Sequence, residues 1–353
     1  MGNKHDTKIV PMKFAAQIAP IEQYFAQFDS HCHSFSHCVR AYRSLSEWEN
    51  ASSVSLGDKL SFINQSIREI YSAAKKRNVL VQCITEHPQF RRYEIPFQKY
   101  IGVVNKARES YEKYFAKLPI GVEIEIKKDE NKKFCLDLNE ISDGEISPMD
   151  LLSQVDVVVG AVHSKHQKGA ISDSEDYLSM LVGGAHALAD LKTELEKEGG
   201  RNKVYVLGHP WDAAAEINMK EYDLLKKIHP EITELHNCVS AYELSDYAKI
   251  SFLNHKQLNE LSNALIECDI YPEINAHSVN IGKSDIRAAS NGPKETIIEN
   301  YIMACEKKHK KAIISIGSDS HKIDDIGNMS CSKIFARIPR LEKVVVWCEK
   351  YIK

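Results

Sequence analysis

The sequence predicts an α/β fold, a barrel-like domain assembled from βα units. Two observations lead there. Short apolar runs rich in β-branched residues alternate with amphipathic stretches from end to end. Nearly every apolar run is also followed at once by an imidazole or a carboxylate, as expected where parallel strand ends share one face. No internal repeat and no Pro- or Gly-rich linker divides the chain, so residues 1–353 read as a single domain.

The strand runs are Phe28 to Cys32, Val79 to Thr85, Ile120 to Ile126, Val155 to Val162, Val204 to Leu207, Ile270 to Asn275 and Ala312 to Gly317. Ile232 to Leu235 is a weaker eighth. Between them, Lys59 to Lys76, Tyr100 to Lys117, Tyr177 to Lys197, Leu258 to Glu267 and Lys294 to Lys308 repeat apolar residues at helical spacing and would cover the outside. Residues 1–25 read as a peripheral segment. Residues 127–150 are charged and turn-rich, with Asp143-Gly144 as a turn signal, and read as an inserted hairpin or loop.

With 353 residues and 43% apolar content the chain can bury a sizeable core. Its 46 Lys and Arg against 49 acids give a net charge of -3, which disfavours a nucleic-acid partner. No run approaches the roughly 18 apolar residues of a membrane span. Residues 1–10 are too polar for a secretory signal, and Asp6 stands where a myristoylation site wants Ser or Thr. A cytoplasmic protein is expected. The nine cysteines are scattered and form no C-x-x-C pair, which fits reduced thiols, and Cys32 reads as a small packed residue.

The chemistry is concentrated behind the strands. The first run leads into Asp29-Ser30-His31-Cys32-His33, the second ends in Thr85-Glu86-His87, and the third carries Gly121-Val122-Glu123. Val162-His163, Gly208-His209-Pro210, Glu273-Ile274-Asn275 and Gly317-Ser318-Asp319-Ser320-His321 follow. In an extended H-x-H the two imidazoles point to one side and can share a cation, and Asp319 with His321 repeats that spacing. Each piece alone is weak; the joint occurrence in order, at the same end of successive strands, is what decides. Imidazoles mixed with carboxylates suit zinc, iron or manganese, whereas an all-oxygen set would suit magnesium or calcium.

This ordered set resembles the PHP (polymerase and histidinol phosphatase) superfamily, most closely its histidinol-phosphatase branch, over about Phe28 to His321. The resemblance implies a distorted seven-stranded (βα)7 TIM-like barrel with loop insertions, holding two to three divalent transition-metal ions. It implies His31, His33, His87, Glu123, His163, His209, Asp319 and His321 as metal ligands, with Glu123 bridging two ions and with Glu123, His209 and Asp319 at the reacting centre. His37 is the further ligand only if a loop is shortened, since the third N-terminal histidine of the family lies farther on.

His166, His186, His229, His236, His255, His277 and His309 fall outside the pattern and read as solvated or structural. Glu125 reads as facing away from Glu123 or as lying one step down the barrel, while Glu273 and Asn275 read as residues that orient ligands. Arg287, Lys165 and Lys322 are the cations expected to reach a phosphate from strand-end loops, with Arg91 and Arg92 weaker.

The expected activity is hydrolysis of a small phosphate monoester, with L-histidinol phosphate the best single substrate. The nucleophile would be a water whose pKa two close cations lower toward about 7. A nuclease or nucleotide phosphohydrolase of the same superfamily is the enzymatic alternative, and a non-catalytic metal-binding scaffold the other.

Overall fold

A computed structural model describes residues 23–34, 54–88, 93–131, 133–141, 146–161, 174–199, 202–210, 254–275, 297–327 and 340–352. The possible strand Ile232 to Leu235 lies outside them. The strands are β1 (Phe28–Asp29), β2 (Val81–Gln82), β3 (Ile84–Glu86), β4 (Ile120–Lys128), β5 (Phe134–Leu136), β6 (Val157–Ala161), β7 (Val204–Leu207), β8 (Tyr271–Asn275), β9 (Ala312–Gly317) and β10 (Val344–Val346). The helices are α1 (Leu56–Lys76), α2 (Phe97–Tyr111), α3 (Pro148–Ser153), α4 (Ser174–Lys197), α5 (His255–Cys268) and α6 (Ile297–Lys307).

Seven strands form one curled sheet in the order β10-β9-β8-β7-β6-β4-β3, and every neighbouring pair is parallel. Helices α4, α5 and α6 pack on it and α5 lies against both of the others, so the expected βα architecture is present. The strands read as near-continuous apolar runs because both faces are buried: all five residues of β6 and all four of β7 are buried.

Local chemistry sets the helix starts. Ser55 caps α1 by accepting from Asp58 N at 3.1 Å, and Asn254 with Gln257 forms a reciprocal capping box on α5. Ile63, Ile67, Ile70, Tyr71 and Ala74 then recur at three- and four-residue intervals, which turns one face of α1 into the core.

The sheet differs from a closed barrel. The lower half of the outer edge of β9 is taken by β10, a strand the sequence pattern did not single out. The upper half meets the chain following β1 through individual bonds: Ser30 N to Ile316 O at 2.9 Å, Asp319 N to His31 O at 2.8 Å and a bridge between Cys32 and Ser320. On its other side β1 pairs with β2. The physical reason for the partial closure is the shortness of β1, two residues, which leaves no continuous ladder to the neighbouring edge.

Two further expectations are corrected. The run Val79 to Thr85 splits at Cys83 into β2 and β3, and Tyr100 to Lys117 ends as an α-helix at Tyr111, followed by one 3-10 turn. In the charged insertion, Ile126 to Lys128 pairs antiparallel with Phe134 to Leu136, and the Asp129 carboxylate accepts from Asn131 N and Lys133 N to close the turn. No helix among the described residues is long and apolar enough to cross a membrane.

Candidate metal centre

Seven of the expected side chains converge at the carboxyl ends of the strands. His31 and His33 lie just beyond β1, with Cys32 between them turned into the core, its thiol donating to Cys83 O. That is period-two alternation at work: the imidazoles share a side and the thiol takes the other. All six described cysteines are free thiols.

Glu123 stands at the middle. Its Oε2 lies 3.4 Å from His31 Nε2, 3.3 Å from His33 Nε2 and 3.2 Å from His87 Nδ1, while its Oε1 lies 2.7 Å from His209 Nε2. A carboxylate touching four imidazoles with both oxygens has the reach of a bridge. Glu123 is in the interior of β4 and not at its end, because β4 runs five residues further to form the hairpin. Glu125 is therefore farther along the strand and half-buried, not a step below, which corrects its expected place.

Asp319 closes the cluster, with Oδ1 3.1 Å from His33 Nε2, 3.8 Å from His31 Nε2 and 3.7 Å from His321 Nδ1. The Asp319 and His321 pair does not use strand alternation as the spacing implied. Strand β9 ends at Gly317, Asp319 adopts φ 47°, and His321 Nδ1 lies 2.9 Å from Asp319 O. His209 is also left-handed, at φ 25°. Both sit where non-glycine residues are strained, a feature that concentrates at functional sites.

Around these lies a layer of buried orienting groups. Glu273 on β8 holds His31 Nδ1 at 2.8 Å and accepts from His209 N at 2.9 Å. Asn275 donates to Asp319 Oδ2 at 3.0 Å, so Glu273 and Asn275 each hold a side chain of the cluster in place. Asp29 accepts from Ser318 N, Ser318 Oγ and Gly327 N, which fixes the turn that carries Asp319.

Electrostatics follow from the geometry. Burial alone would depress the imidazole of His31, but Glu273 and Glu123 overturn that and hold it well above its ordinary range. For His33, burial is likewise outweighed by Asp319, Glu86 and Glu123, and the group is pushed up to about 9. Burial would raise Asp319, yet His33, His31 and His321 keep its carboxyl well below the usual carboxylate range.

The donor set fits a metal. His31 Nε2 and His33 Nε2 face each other at 3.2 Å, while His31 Nδ1 is already committed to Glu273. Two imidazole nitrogens aimed at one point beside two carboxylates need a cation there, a proton or a metal ion. Two triads have ligand atoms within 4.8 Å of one another, His31 with His33 and Asp319, and His33 with His87 and His321. His31, His33 and Glu123 are sealed from solvent, whereas the side chains of His87 and His321 are 24% and 26% exposed and form the open side.

Of the remaining expected residues, His37, His163, Lys165 and Arg287 lie outside the described residues, as do Arg91 and Arg92. Lys322 is exposed beside His321, and its backbone N bonds Ser320 Oγ at 3.2 Å. His186, His255 and His309 are exposed and away from this triad chemistry, in keeping with a solvated reading. One residue named in a motif was given no role of its own. Glu86, completely buried, faces His33 from behind, and the T-E-H motif that contains it was the available signal.

No protein-family model matches the chain, and no curated protein matches it.

Proposed function

We propose that this chain is a metal-dependent phosphoesterase that hydrolyses a small phosphate monoester, with L-histidinol phosphate the best single substrate. The observation that carries this reading is the meeting of His31, His33, His87, Glu123, His209, Asp319 and His321, gathered from positions 31 to 321, around one point. On the same reading the curled sheet is a distorted seven-stranded barrel, and two to three zinc, iron or manganese ions complete the site.

Bound divalent cations would supply Lewis-acid activation of water and neutralise charge on the transferring phosphoryl group. The side chains do the rest. His31 and His33 present Nε2 toward the centre, and Glu123 reaches both sides of it with separate oxygens. Glu273 fixes the His31 ring through Nδ1, and Asn275 holds Asp319 Oδ2 so that Oδ1 stays turned inward. The closed floor of His31, His33 and Glu123 excludes bulk water, and an ester would enter beside the partly exposed His87 and His321. Lys322, exposed and next to His321 in the chain, is the cation we assign to a phosphate.

The test is turnover of a panel holding histidinol phosphate, nucleotides, oligonucleotides and an aryl phosphate by metal-analysed protein. His33→Ala and Asp319→Ala are expected to lower monoester turnover at least about 10³-fold with the fold retained, an effect of roughly 4 kcal/mol on the barrier. Full activity in either variant refutes the assignment. Preference for the oligonucleotides would move the protein to the nuclease alternative.

A further inference from the structure

Among the described residues, Glu86 is the one buried carboxylate beside the cluster that the reading above leaves without a task. It is fully inaccessible, as is His33. His33 uses Nε2 toward the centre, 3.3 Å from Glu123 Oε2 and 3.1 Å from Asp319 Oδ1. Its other ring nitrogen, Nδ1, has no hydrogen-bond partner within ordinary distance, and the carboxylate oxygen facing it is Glu86 Oε1 at 3.8 Å. The ring is packed against its neighbours, with His87 stacked on it at 4.2 Å between centroids and 4° between planes and His321 at 4.6 Å.

Glu86 is itself held in place. Its Oε2 accepts from Ser34 N at 2.8 Å and from Ser34 Oγ, and its Oε1 accepts from His87 N at 3.3 Å. Ser34 O in turn accepts from Ser66 Oγ on α1. The same construction stands behind the other histidine of the pair, where Glu273 Oε1 lies 2.8 Å from His31 Nδ1.

We propose that Glu86 is a positioning residue: it accepts a hydrogen bond from His33 Nδ1–H, keeps that proton on Nδ1 and so presents His33 Nε2 as a lone-pair donor to a divalent cation. The proposal rests on the metal-centre reading. The principle is general, in that a ligating imidazole donates its second N–H to an acceptor that fixes tautomer and ring orientation. A neutral imidazole carries one proton; placing it on Nδ1 is the only way to leave Nε2 free for coordination.

The test uses the whole chain with zinc or cobalt as the probe. In zinc-loaded protein carrying ¹⁵N-histidine, long-range proton–nitrogen spectra are expected to show His33 coordinating through Nε2 with a slowly exchanging proton on Nδ1. Coordination through Nδ1, or an Nδ1 without its proton, overturns the proposal. Glu86→Gln is expected to weaken cobalt binding about 10- to 100-fold and to change its visible absorption, and to lower kcat with KM little altered. Wild-type affinity and spectrum in Glu86→Gln would also overturn it; should that variant not fold, the wild-type spectra decide. A chain in which no imidazole responds to either metal defeats the metal-centre reading, and the proposal with it. A metal-responsive chain with His33 in the wrong tautomer defeats the proposal alone.

Discussion

At His33 a proton would compete with any bound metal ion for the same lone pair, and the buried carboxylates decide how strongly the proton holds. In the metal-free chain the group is pushed up to about 9 from its ordinary 6.5, by contacts with Asp319, Glu86 and Glu123 that outweigh burial. A raised folded-state value means that the folded chain binds this proton more tightly than the unfolded one. The resulting stabilisation, on the order of a few kcal/mol, is complete below 6.5 and is lost as pH rises through about 9. Chelator-treated protein should therefore melt at progressively lower temperature between pH 6.5 and 9. Metal-loaded protein should diverge upward from it over that window, because neutral imidazoles bind the ion better. Calorimetry in buffers of different ionisation enthalpy should show protons released on metal binding at pH 7 to 8. Ordinary imidazole values would confine that competition to below about pH 7; the carboxylate contacts extend it upward.

At the scale of elements, the decisive contact is between β9 and the chain after β1. A methyl group at Gly317 would stand 2.3 Å from His31 Cβ, 2.9 Å from Glu273 Oε1 and 3.0 Å from His31 N. Two of those neighbours belong to the backbone-proximal part of His31 and cannot swing away. Gly317→Ala is expected to cost about 1–3 kcal/mol by urea denaturation and to weaken metal binding at the same time, since His31 must shift. Helix α4 shows the same logic away from the site. At Gly183 a methyl group would meet Phe134 Cβ at 2.8 Å, so the β4–β5 hairpin lies directly on a bare stretch of helix. Gly183→Ala should destabilise the fold through that packing, even though alanine favours the helix by up to about 1 kcal/mol, while leaving metal affinity unchanged in a titration.

Across the whole molecule, the cluster ties position 31 to position 321 and so links the first strand to the last third of the chain. An ion bound there stabilises the folded state by mass action, about 2.7 kcal/mol at a hundred times its dissociation constant. Zinc or manganese should raise the melting temperature by several degrees and a chelator should reverse the rise. A melting temperature indifferent to every divalent ion would contradict a shared centre that spans the fold.

The amino-acid order by itself determined the alternation of strands and helices, because burial on both sheet faces demands short apolar runs and one-sided helices demand a 3.6-residue period. It also marked the positions that meet in the cluster, since His31, His33, His87, Glu123, His209, Asp319 and His321 follow or interrupt those runs in order. What pairing and packing alone decided lies elsewhere. Val344 to Val346 is too short a run to announce β10, and only its ladder to Ala312 to Ile314 makes it a strand. The half-closed sheet follows from how little of β1 is regular strand. Glu86 was invisible for a similar reason: strand alternation places it opposite His87, and its role emerges only when His33, from 53 positions earlier, turns its far edge toward it. Side-chain period is local and survives in the sequence, whereas which backs of which residues meet depends on chain segments closing in three dimensions.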